Sequence, residues 1–138
     1  MSGILEINSK LHYGLILMTE LAKAHKKAEA LSLEKIAQNS GFISAGYLEE
    51  IAASLRSKKL IAAKRGAKGG YQLTRDPKKI SAADIIAAIK GHSNTLSCQN
   101  QNAFPCPVLQ KCHSKKLWIK LQTNIEKILK QTSLADLI

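Results

Sequence analysis

Three thiols carry the most reactive chemistry of this 138-residue chain. Cys98, Cys106 and Cys112 follow a C-x7-C-x5-C pattern and are its only cysteines. Structural cysteines in a core are more often scattered over helix faces. Clustered thiols suit soft thiolate ligation instead, with iron–sulfur and zinc as rivals. Pro105 and Pro107 stiffen the segment around Cys106. A cluster takes four ligands and a fourth cysteine is absent, so His113 and His92 are the nearest local candidates. Thiol enzymology has little support: the chain has no C-x-x-C, no paired-carboxylate arrangement and no nucleotide-binding loop.

Charge is the second signal. Lys and Arg number 21 against 10 Asp and Glu, a net charge of +11. Nine of the basic residues lie between Ala52 and Lys79, where Asp76 is the only acid. A solvated surface would explain scattered lysines. A basic stripe around a glycine-rich turn fits nucleic acid better, because clustered Lys and Arg release counterions from phosphates. An acidic membrane surface fits less well, since no basic amphipathic helix here carries bulky aromatics.

The elements that position these groups can be read from periodicity. At 45% apolar residues the chain buries a real core as one domain-sized unit. Its apolar runs are too short for a transmembrane helix, and no secretion signal is visible, so a cytoplasmic address and no disulfide framework are expected. Leu11, Leu15, Met18, Leu21 and Ala22 predict a helix from about Ser9 to His25. Ser32 N-caps a short helix that stops at Gly41. Ser44 caps the next, with Ile43 and Leu48 at hydrophobic-staple spacing, and Tyr47, Leu48, Ile51 and Leu55 carry it to about Lys58.

Leu60–Lys64 and Gly70–Thr74 read as strands, with Ile61 and Ala63 alternating on one side and Tyr71 and Leu73 on the other. Arg65-Gly66-Ala67-Lys68-Gly69-Gly70 joins them as a mobile basic tip. Ser81-Ala82-Ala83-Asp84 matches a capping box for a helix ending at Gly91. Leu96–Cys112 is irregular. Leu117, Leu121, Ile125, Ile128 and Leu129 then stripe a last helix from about Ser114 to Gln131, with Trp118 beside the stripe.

Short helix, glycine turn, second helix and basic hairpin make a winged helix-turn-helix, mainly α with a small β-hairpin wing and a long C-terminal helix. The run Ile43-Ser44-Ala45-Gly46-Tyr47-Leu48-Glu49-Glu50 resembles the recognition helix of the Rrf2 family of transcription regulators, in the group of IscR, NsrR and RirA. Arg65-Gly66-Ala67-Lys68-Gly69-Gly70-Tyr71-Gln72-Leu73 resembles that family's wing, and Lys10–Leu15 and Ile80–Ile86 match as well. The resemblance spans essentially the whole chain. It implies a cytoplasmic homodimer, joined through the last helix, on a pseudo-palindromic double-stranded DNA operator. In many members it also implies an iron–sulfur cluster in the cysteine loop, which favours that cofactor over zinc; two-iron and four-iron forms stay open.

On this resemblance the chain divides into a DNA-binding domain (1–92), a cluster loop (93–113) and a dimerisation helix with tail (114–138). Ser44, Tyr47, Glu49, Arg56, Arg65, Gly66 and Lys68 are the expected DNA contacts, and Trp118, Leu121 and Ile125 the expected dimer anchors. The resemblance departs at Gly46, where members often carry a polar DNA-contacting residue. It departs again at Lys115, where IscR-like members keep a histidine three positions past the last cysteine. The fourth ligand is then expected at His12, donated by the partner subunit, where some members place a carboxylate. His113 ranks behind it because adjacent ligands are geometrically awkward. The expected function is a non-enzymatic DNA-binding regulator sensing iron, redox, nitric oxide or cluster supply. The alternatives are a zinc-stabilised or cluster-free thiol-sensing regulator, or a protein-interaction adaptor.

Overall fold

The computed structural model describes residues 7–41, 43–91 and 106–138. Helix α1 spans Ser9–His25, α2 Leu33–Ser40 and α3 Ala45–Ser57. Strands β1 (Ile61–Lys64) and β2 (Gly70–Leu73) follow, then α4 (Ala82–Lys90) and α5 (Lys115–Gln131). Three short 3-10 turns, at Pro77–Lys79, Leu109–Lys111 and Leu134–Leu137, complete the described elements. None of the described helices is long and apolar enough to cross a membrane.

The caps expected from sequence are present. Ser32 accepts the Lys35 N–H and Ser44 the Tyr47 N–H, each filling an orphan donor of a first turn. Ser81 and Asp84 form the reciprocal capping box of α4. Gly41 closes α2 at φ 74°, a left-handed conformation that side-chain-bearing residues resist. That reversal turns α3 across α2.

The hairpin register pairs Ile61 with Leu73 and Ala63 with Tyr71. Directly paired residues share one face of a sheet, so these four lie together rather than on opposed sides. Ile61 and Leu73 reach the core, while Ala63 is exposed toward the tip. A bridge the sequence did not announce joins Leu31 to Tyr71, through N–H···O contacts of 3.0 and 2.7 Å. Gly70 permits it: a Cβ there would sit 2.3 Å from the Leu31 carbonyl. The wing is thereby tied to the segment entering α2.

Leu17, Met18 and Leu21 of α1 meet Ile36, Leu48, Ile51, Leu55, Ile61, Ile80 and Ile85 in one core, with no buried polar residue among those described. Leu134 joins this core from the C-terminal tail, fully buried. Leu134 N–H donates to the Ile80 carbonyl at 2.7 Å and Ala82 N–H to the Thr132 carbonyl at 2.8 Å. Residues 133–138, grouped by sequence with the last helix, therefore pack with the head. Helix α5 itself packs on α4 and buries no residue fully.

Candidate nucleic-acid interface

The first turn of α3 is anchored from within and open on its outer side. Ile43 and Leu48 are buried as the staple requires, leaving Ser44, Gly46 and Glu49 exposed. The Ser44 oxygen accepts the Tyr47 N–H at 3.2 Å, so its hydroxyl proton stays available to a phosphate. Tyr47 is half-buried, and its ring meets Tyr13 of α1 edge-on at 5.7 Å. Glu50 pairs with Lys10 at 3.0 Å, whereas Glu49 forms no ion pair among the described residues.

The wing folds back toward this turn. A groove of about 580 Å³ is bordered by Glu49 of α3, Ser32 and Glu34 of α2, and Lys64, Arg65 and Gly66 of the wing. A second groove, of about 560 Å³, lies between the wing and the segment entering α2, with Lys35, Lys64 and Lys68 on its rim. The fold thus brings Glu49, Arg65 and Gly66 together and sets Lys68 beside them. Arg56 stands apart, near the other end of α3, about 10 Å along the axis from Glu49 at 1.5 Å per residue. Lys35 is the cation the sequence reading left without a role, whereas Lys64 counted only as part of the basic stripe. The signal for Lys35 was available: the first helix of a helix-turn-helix crosses the DNA backbone, and α2 is that helix.

Of the three thiols, Cys106 and Cys112 are described, both free and half-buried; Cys98 and His92 lie outside the described residues. The Ser114 hydroxyl lies 3.2 Å from the Cys112 sulfur and makes no capping bond to α5. That contact, aided by the Lys115 N–H and the Lys115 charge, holds the Cys112 thiol below its ordinary pKa. Such a thiol and its neighbour suit a soft metal centre chemically. Among the described residues, however, no three His, Cys, Asp or Glu side chains come together to hold a metal. His12 is exposed on α1, its ring tilted against Tyr13, and does not complete a site with Cys106 and Cys112 in one chain. His113 is likewise exposed.

Last among these surfaces, α5 presents Leu117 (61% exposed), Trp118 (42%) and Ile128 (62%), with Leu121 exposed and Ile125 half-buried on the same stripe. A family model described as Rrf2, iron-dependent transcriptional regulator, matches residues 7–138. This chain belongs to the Rrf2 family. An Rrf2 assignment accounts for the head and the last helix alike. The chain is 36% identical over 135 residues to the transcriptional regulator CymR of Bacillus subtilis, covering 96% of this chain and 89% of that one. The solved structure of B. subtilis CymR, described as the global cysteine regulator, superposes with a TM-score of 0.78 at 37% identity, over 97% of this chain and 96% of that one. IscR of T. potens superposes with a TM-score of 0.76 at 34% identity, over 97% and 86%. The winged-helix fold expected from sequence is confirmed, and the Rrf2 chain is a regulator rather than an enzyme. The relatives divide over the input: one structure is called a cysteine regulator, while the family model is called iron-dependent.

Proposed function

We propose that this chain works as a homodimer that reads double-stranded DNA through the first turn of α3 and the wing, and takes its signal through the cysteine segment. The observation that carries this reading is the convergence of Glu49, Lys64, Arg65 and Gly66 on one open groove beside an unburied basic tip. Arg65 and Lys68 supply phosphate affinity, with Arg65 suited to the minor groove. Ser44 donates to a phosphate, Tyr47 shapes the turn, and Arg56 extends the contact toward the far end of α3. A carboxylate facing DNA is repelled by phosphate, so Glu49 needs a compensating bond, and cytosine N4 offers one. Two-fold pairing of α5 through Trp118, Leu121 and Ile125 covers its apolar stripe and sets the spacing of two heads on a palindrome.

For the input, Cys98, Cys106 and Cys112 would hold an iron–sulfur cluster, with His12 of the partner subunit as fourth ligand. When bound, the cluster supplies sensitivity to oxidants, nitric oxide and iron supply. Cys106 and Cys112 frame one turn of backbone leading into α5, so their ligation and the dimer helix share a segment. A second reading, thiol sensing without metal, is favoured by the stabilised thiolate of Cys112.

Anaerobic purification with iron, sulfide and zinc analysis, followed by gel shift of the loaded and stripped forms on the DNA upstream of its own coding sequence, tests both levels. A brown protein with iron and sulfide that loses its colour on replacement of Cys98, Cys106 or Cys112 supports the cluster. A colourless, metal-free protein whose DNA binding responds to thiol oxidation supports the second reading. Absence of salt-dependent DNA binding in every form overturns the reading as a whole.

A further inference from the structure

Lys10 and Tyr13 are one helical turn apart on α1, and Tyr47 and Glu50 are one turn apart on α3, so each pair shares a helix face. The two faces meet in antiparallel sense: Lys10 Nζ reaches Glu50 Oε1 at 3.0 Å, and the Tyr13 ring meets the Tyr47 ring edge-on at 5.7 Å and 90°. Each off-axis contact resists rotation of the helix about its own axis, and a second one a turn away on the same face adds to that resistance and also opposes tilt. Leu48 and Ile51 already hold the inner face of α3 in the core. Apolar burial is non-directional, however, and sets which face points inward more firmly than the angle at which it does so.

That angle decides what α3 can read. Side chains project about 5–6 Å from a helix axis, so a rotation of about 20° carries their tips about 2 Å. A hydrogen bond to a base edge does not survive such a shift. Gly46 adds to the need, since it weakens the turn that carries Ser44 and Glu49, and a Cβ there would touch nothing within 4 Å.

We infer that Lys10 and Tyr13 are positioning residues, which clamp the first turn of α3 at the rotation that aims Glu49 at its base, and so determine sequence specificity without touching DNA. This rests on the reading of α3 as the DNA-reading helix. It also places His12, between the two clamp residues, on the stretch of α1 that bears directly on α3. A force applied at position 12 reaches the reading turn through one rigid helix.

The test uses the full-length protein and a randomised duplex pool. The wild type selects a preferred sequence, and affinity is then measured by anisotropy for that duplex and for a scrambled duplex across a salt series. Tyr13→Ala and Lys10→Glu are expected to lower affinity for the selected duplex about tenfold and threefold while leaving the scrambled duplex within twofold, by analogy with the loss of a base contact. Both variants are expected to select an altered sequence at the bases facing α3. Tyr13→Phe, which keeps the ring contact, restores wild-type selection. The exchange Lys10→Glu with Glu50→Lys restores the loss of Lys10→Glu alone at constant net charge. The inference is overturned if Lys10→Glu selects the wild-type sequence with unchanged discrimination. It is also overturned if the exchange fails to restore, or if the variants weaken both duplexes equally. Lys10 and Glu50 are surface residues, so these arms stand even where Tyr13→Ala unfolds. Failure of the wild type itself to select any sequence overturns the reading of α3 instead.

Discussion

The wing and the last helix are both exposed, and they are exposed for opposite reasons. The tip of the wing carries Arg65 and Lys68 among glycines, with almost no apolar surface to hide. Helix α5 carries Leu117, Trp118, Leu121 and Ile128 outward, a stripe that water penalises. Each is tied to the head at its base. The wing is held by Ile61, Leu73 and the Leu31–Tyr71 bridge, and α5 by α4 on one side and the buried Leu134 beyond its end. Past those anchors, the wing suits a hydrated polyanion and α5 a surface like itself. Exposure alone does not identify a partner; the chemistry of what is exposed does.

The anchors are the place to break this contrast first. Leu134→Ala empties a fully buried site and is expected to cost about 2–5 kcal/mol of stability, measured by urea unfolding. A cost typical of a surface change would mean that the tail does not hold α5 to the head. Next in size is the apolar surface. Leu121→Glu with Ile125→Glu is expected to give a monomer by sedimentation and to weaken binding to a palindromic duplex about a hundredfold, because two linked half-sites become one. Persistence of the dimer would remove α5 as the interface.

The wing should answer differently. Arg65→Ala is expected to leave the dimer intact, weaken binding severalfold on every sequence, and lower the salt slope by about one. A selective loss on one sequence would make Arg65 a base reader, and unchanged salt dependence would remove the wing from the interface. The smallest expected effect lies between the two regions, at the entry to α5. The Ser114 hydroxyl holds the Cys112 thiol below its ordinary pKa, so more thiolate is present near neutral pH than in a free thiol. Ser114→Ala should return the pKa upward and slow alkylation of Cys112 severalfold at pH 7. The difference should vanish at pH well above the ordinary thiol value, where both forms are deprotonated. Equal rates at pH 7 would show that the contact does not stabilise the thiolate.

Much of the fold was legible in the sequence because its signals are local. Ser32, Ser44 and the Ser81–Asp84 box act within one turn of their own backbone, and Gly41 ends α2 by its own dihedral angle. The alternation around the glycine-rich tip marked the hairpin for the same reason, although which residues shared its inner face waited on the register. Of the candidate site, Glu49, Arg65, Gly66 and Lys68 were marked by type and position, while Lys35 and Lys64 acquired their place only when α2 and the wing came together.

The rest depended on residues far apart along the chain. Nothing near Leu134 distinguishes it from Leu137, yet Leu134 is buried in the head and Leu137 is 45% exposed, because the tail returns beside Ile80. Nothing in Lys10 or Tyr13 names Glu50 or Tyr47, and their meeting follows from how α1 crosses α3. The sequence marks Ser114 only as the start of the last helix, and that its hydroxyl meets the Cys112 sulfur rather than capping α5 follows from the path of the chain there. The sequence by itself determined the elements, their caps and the type of chemistry on offer, because backbone propensity and side-chain character act over a few residues. Tertiary structure alone decided which side chains meet, because burial and pairing depend on where distant segments arrive in space.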